Sequence, residues 1–109
     1  MSIQKLLASP EGKTLEFKEK MPTSLAIAKT VCAFSNGTGG SIIIGIKDRD
    51  KTLIGIDELE ISDTEEKIAN IIYANIEPIP SFSTTIHNIK EKLLLKVEGL
   101  SRETQTLSP

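Results

Sequence analysis

The run Ser41-Ile42-Ile43-Ile44-Gly45-Ile46 limits the possible folds of this chain more than any other stretch. Isoleucine is branched at Cβ, loses side-chain freedom in a helix and packs well on a pleated sheet. The run is short for a helix, and it does not alternate, so neither of its faces is suited to water. It predicts a central strand covered on both sides. Any fold for this chain must therefore supply at least one layer above that strand and one below.

The neighbouring segments supply candidates for those layers. Thr14-Leu15-Glu16-Phe17-Lys18 alternates and predicts a half-buried strand. Residues 3–8 suit a short helix stopped by Ser9-Pro10. Between Pro22 and Gly37, the segment Ser24 to Asn36 predicts a helix whose apolar face carries Leu25, Ile27, Ala28, Val31, Cys32 and Phe34. Gly37 is expected to end it as a left-handed cap. After the charged turn Lys47 to Lys51, Thr52 to Ile56 is expected to return as an antiparallel strand. Ser62 and Glu65 have the spacing of a capping box, followed by helical periodicity through Ile68, Ile71, Ile72 and Ile76. Phe82 to Ile89 and Lys92 to Val97 predict a final hairpin. The order is then β-α-β-β-α-β-β, an α+β domain with two helices on a mainly antiparallel sheet. Residues 1–99 are assigned to this domain and 100–109 to a polar tail, whose end suggests a short stand-alone version or a truncation.

Charge narrows the function. Thirteen Lys and Arg against fifteen Asp and Glu give a formal net charge of −2. Proteins that hold polynucleotides by bulk charge are basic overall, because phosphate neutralisation supplies their affinity. A nucleic-acid role here needs a local basic patch, a partner subunit or a metal ion. The single cysteine, Cys32, cannot form an internal disulfide and suits a small core position. The single histidine, His87, argues against a structural zinc site. With no apolar run long enough for a signal peptide or a span, a soluble cytoplasmic protein is expected.

Three groups of residues could carry chemistry. Asn36-Gly37-Thr38-Gly39-Gly40 is glycine-rich but follows a helix and precedes a strand, the reverse of the order that presents amides to phosphate. A cap and tight turn is the simpler reading. Lys13, Lys18 and Lys20 surround the first strand, and Lys47, Arg49 and Lys51 the first turn. As neighbours they would make a basic edge, although Glu19, Asp48 and Asp50 are interspersed. Glu11, Glu16 and Asp48 are hard oxygen donors at element ends that could share Mg²⁺ or Mn²⁺. A spacing of five sends Glu11 and Glu16 to opposite faces of an unbroken strand, so convergence requires a bend, which Gly12 permits.

The segment Glu11-Gly12-Lys13-Thr14-Leu15-Glu16-Phe17-Lys18 resembles the Schlafen AlbA-type signature Glu-Ser-x-x-x-Glu-Phe-Lys. Ala33-Phe34-Ser35-Asn36 through Gly39-Gly40 to Gly45-Ile46-Lys47-Asp48 resembles its second signature, with Ile54-Gly55-Ile56 and Asn75-Ile76-Glu77-Pro78 in register behind it. The likeness runs from about Glu11 to Gly99, with Gly12 where Ser is usual and Lys47 where an acid often stands. It implies a DNA-binding or transcription-regulator-like bacterial domain of a class also attached to divergent AAA modules. It also implies a second reading, a divalent-metal endoribonuclease with Glu11, Glu16 and Asp48 as metal ligands and catalytic residues and Lys18 facing the scissile phosphate. Schlafen nucleases clamp RNA between two such lobes, so a single lobe would act as a homodimer. Three expectations follow: a DNA- or RNA-binding domain using the six cations, a metal nuclease, or a dimerisation module without chemistry.

Overall fold

A computed structural model describes residues 3–102. Its elements are α1 (Ile3–Ala8), β1 (Leu15–Lys18), α2 (Ser24–Asn36), β2 (Gly40–Ile44), α3 (Ile61–Asn75), β3 (Phe82–Ile89) and β4 (Lys92–Gly99). The strands form one sheet in the order β1-β2-β4-β3, with β1–β2 parallel and the other pairs antiparallel. This is the expected α+β class.

The isoleucine run does what its composition demands. Ile42 and Ile44 pack with Ile27, Val31, Phe34, Ile68 and Ile72 from α2 and α3. Ile43 and Ile46 pack on the other face with Leu15, Phe17 and Leu94, under Ile3 and Leu6 of α1. Ile42, Ile43 and Ile44 are each at most 2% exposed. Burying a side chain of this size is worth roughly 1.5–3 kcal/mol, so β2 anchors both layers.

Several local expectations are corrected. Thr52 to Ile56 does not join the sheet; only an isolated bridge, Ile46 to Leu53, remains of the expected hairpin. The reason is that β2 already has β1 on one edge and β4 on the other, leaving no edge for a third partner. Gly45 O instead accepts from both Ile54 N and Gly55 N, and Ile56 N reaches Leu93 O. Helix α3 begins before the expected capping box. Asp57 O accepts from Glu60 N and Ile61 N, while Asp57 Oδ1 accepts from Leu59 N. Glu65 turns instead to Thr84, whose Oγ1 donates to its Oε2 at 2.6 Å. Helix α2 keeps its expected bounds, with Thr23 Oγ1 accepting from Ala26 N as its cap. Leu25 lies outside the core, 65% exposed, and Gly37 is not left-handed (φ −108°); the positive φ falls on Gly39, at +89°.

Leu100 and Ser101, expected as the start of a tail, are held against the domain. Leu100 N donates to Ser81 O, and Ser101 is buried. Arg102 follows them, with its Nε donating to Asn36 Oδ1 and its Nη2 to Pro78 O. Residues 103–109 of that segment lie outside the described residues.

The final hairpin closes through Lys90 and Glu91, at φ +50° and +66°. Side chains at such angles are strained, and Asn-Gly is the preferred pair for this two-residue turn. Replacing both residues, Lys90→Asn with Glu91→Gly, is expected to stabilise the domain by about 1 kcal/mol. Thermal unfolding should show a rise of roughly 4–8 °C.

Candidate nucleic-acid interface

Parallel pairing of β1 with β2 brings the ends of these two strands together. Lys18 lies opposite Ile44, and its carbonyl accepts from Gly45 N at 2.7 Å and Ile46 N at 3.1 Å. The segments Lys18–Lys20 and Lys47–Lys51 therefore leave the sheet side by side. This is the juxtaposition that the expected basic edge required.

The six candidate cations are not equivalent. Lys47 and Arg49 are exposed in the turn, with Asp48 and Asp50 beside them. The Asp50 carboxylate accepts from Thr52 N at 3.0 Å. Hydrogen bonding to Thr52, aided by the nearby charge of Lys47, holds its pKa below the ordinary carboxylate value. Lys18 is half-buried, with its Nζ 3.9 Å from Glu16 Oε2. Lys20 shares a groove with Glu19, Asp57 and Glu60, so acidic groups offset its charge. The Lys51 ammonium turns inward: its Nζ donates to Ser9 O at 2.6 Å and sits 5.3 Å from the centre of the Phe17 ring. Lys13 lies apart from the others. It borders the loop Gly37–Gly39 in the turn before β1, so the length of the strand from Leu15 to Lys18, about 10 Å, separates it from Lys18.

The carboxylates are also separated by role. The chain does bend at Gly12, where Gly12 N donates to Leu15 O at 2.9 Å. That bend lays the Glu11 carboxylate on the outer edge of β1, where Oε2 accepts from Phe17 N at 2.8 Å. Leu15 and Phe17 point toward α1, so Glu16, between them, points to the opposite face. Asp48 lies in the turn beyond β2. Among the described residues no group of three or more His, Cys, Asp or Glu side chains is placed to hold a metal ion. A shared Mg²⁺ would need oxygen ligands converging at about 2.0–2.1 Å, and of the three carboxylates Glu11 is already engaged by Phe17 N. The role of Glu11 as an acceptor for a strand-edge amide was missed in the sequence. The alternating pattern signalled a strand, but not that its outer edge needed covering.

The glycine-rich loop is explained by packing. A Cβ on Gly40 would lie 2.5 Å from Cδ1 of Phe34, and one on Gly39 2.9 Å from Gly99 O. The bare Gly40 leaves room for the Phe34 ring at the start of β2, and the bare Gly39 lets the chain pass close to Gly99 O. Cys32 borders the α2–α3 core, and His87 shares a 3.0 Å hydrogen bond with Thr85 Oγ1. Burial, with the charge of Lys96, pushes the His87 pKa down.

A family model described as Schlafen, AlbA_2 matches residues 11–106. An uncharacterized ATP-binding protein of Ureaplasma parvum is 38% identical over 77 residues, covering 64% of this chain and 22% of that protein's length. Among solved structures, the N-terminal domain of a RecG-related protein from Nitrosomonas europaea, named after an ATP-dependent DNA helicase, superposes with a TM-score of 0.70 at 20% identity. It covers 93% of this chain and 74% of that one. A Corynebacterium diphtheriae protein superposes with a TM-score of 0.59 at 17% identity, covering 91% of this chain and 25% of that one. At such identities the structural likenesses establish the fold. None of the described helices is long and apolar enough to cross a membrane.

Proposed function

The chain belongs to the Schlafen AlbA_2 family, and on that premise we propose that it is a nucleic-acid-binding domain contacting phosphates through the shared end of β1 and β2. The observation that carries the reading is the pair of hydrogen bonds from Gly45 N and Ile46 N to Lys18 O, which sets the turn with Lys47 and Arg49 beside Lys18. The helicase-related name of the Nitrosomonas protein supports the same class of ligand. The contact surface consists of Lys47 and Arg49, with Lys18 at its margin. Arginine can engage a phosphate through two parallel N–H donors, whereas lysine acts as a point charge.

Such a patch gives affinity without sequence information, because phosphate contacts position a protein but do not read bases. In a chain of net charge −2, binding is weak and steeply salt-dependent. Fluorescence anisotropy with a labelled DNA duplex and a structured RNA is the direct test. Affinity should fall linearly in a log–log plot against salt, with a slope of about −2 to −3 for two or three phosphate contacts. An absence of any anisotropy change with both probes at the lowest salt would refute the proposal.

A further inference from the structure

The two edges of the sheet are treated differently. An unpaired strand edge exposes a row of N–H and C=O groups that can pair with another chain, and proteins commonly block it with charge, proline, bulges or covering loops. The β1 edge is blocked by its own chain through the Glu11 carboxylate on Phe17 N and the Gly12–Leu15 bridge. Among the described residues the β3 edge has none of these devices. It is eight residues long, pairs in unbroken register with β4, and reads Phe82-Ser83-Thr84-Thr85-Ile86-His87-Asn88-Ile89. It contains no lysine, arginine, carboxylate or proline.

Hairpin geometry decides which groups face outward. The closing pair of a two-residue hairpin is hydrogen-bonded, and bonded pairs alternate along the ladder. Ile89 and Lys92 close this hairpin, so Ser83, Thr85, His87 and Ile89 bond to β4. Phe82, Thr84, Ile86 and Asn88 direct their backbone groups outward. The same edge is flanked by exposed apolar side chains: Ile86 is 46% exposed, and Tyr73, 57% exposed, packs its ring edge-on against Phe82 at 5.5 Å.

We infer that the β3 edge is a self-association surface, on which a second copy of this chain pairs its β3 antiparallel to extend the sheet. An uncharged, self-complementary register favours this occupant. A two-fold axis at Thr85 sets Thr84 against Ile86 of the partner subunit, and Ser83 against His87 of the partner subunit. No charged residue then meets its own copy, although like charges directly opposite would be destabilising. The symmetric contact is also closed, as expected for a dimer with a self-complementary patch. The inference does not depend on nucleic-acid binding, since the basic turn lies at the other side of the sheet.

Sedimentation of the full chain across a concentration series tests the idea. A reversible dimer is expected, with Ile86→Lys raising the dissociation constant at least about tenfold while the circular dichroism spectrum and melting profile stay those of a folded domain. Amide exchange provides a second measurement, independent of any variant. On concentration, the amides of Thr84, Ile86 and Asn88 should gain protection relative to the other amides of the sheet. A chain that stays monomeric at high concentration, a dimer indifferent to Ile86→Lys, or protection that maps elsewhere would each overturn the proposal. Protection that arises only on adding an unrelated extended peptide would also overturn it, because the occupant would then be another protein.

Discussion

Alanine at Gly39 is expected to destabilise the domain by roughly 3–5 kcal/mol, combining backbone strain with overpacking. The backbone there has φ +89°, a region that alanine adopts only under strain, and the new Cβ would approach Gly99 O to 2.9 Å. That oxygen is main chain, on the last residue of β4, which pairs with Gly40 of β2. Relief would have to come from moving two strands apart, not from rotating a side chain. Against a total stability of about 5–15 kcal/mol, this is a large fraction, and the melting temperature should drop by roughly 15–30 °C. Gly12→Ala is the matched control, since a Cβ there meets nothing within 4 Å. It should change stability by no more than about 0.5 kcal/mol. The comparison also separates packing from ligand binding as the reason for the loop. A phosphate-cradling loop would lose binding in the Gly39 variant but melt normally. If Gly39→Ala melts within a few degrees of the parent, the packing account is wrong.

What could be read from the sequence depended on whether the deciding contact was local. Helix α2 was legible because its apolar spacing and flanking Pro22 and Gly37 lie within one stretch, and its bounds agree. The isoleucine run was legible because its composition admits only a strand with two covered faces. The strand expected at Thr52 to Ile56 failed for a nonlocal reason: its intended partner, β2, is flanked by β1 and by β4, the latter some fifty residues away in sequence. The capping box at Ser62 failed in the same way, with Glu65 drawn to Thr84 across 19 residues. For the candidate site, the sequence left open whether the first strand and the first turn are neighbours, and the parallel pairing of β1 with β2 brings their ends together. The sequence could not show that the length of β1 separates Lys13 from Lys18. Nor could it show that the Lys51 ammonium is taken by Ser9 O and the Phe17 ring. Proximity along a chain is a poor guide to proximity in a sheet, where each residue advances about 3.3 Å.

That distinction sets up the sharpest test of the binding surface. Replacing Lys47 and Arg49 together with alanine should weaken polynucleotide binding by roughly tenfold or more at low salt. The log–log salt slope should flatten by about 1 for each phosphate that is no longer neutralised. Both side chains are exposed in the turn, so the melting temperature should stay within a few degrees of the parent. Lys13→Ala removes the same charge from the chain as either single change but acts at the far end of β1. If binding is confined to the turn, Lys13→Ala leaves the salt slope unchanged and weakens affinity only through the small change in overall field. Lys51→Ala should give the reverse pattern, lowering stability through loss of its bond to Ser9 O with little effect on the slope. If Lys13→Ala and the double variant flatten the slope equally per charge removed, binding is diffuse attraction to the whole surface. The shared end of β1 and β2 would then have no special role. If the slope falls only with Lys47 and Arg49, two side chains in a single turn account for the steep part of the salt dependence, and a chain with more acids than bases can still hold a phosphate backbone.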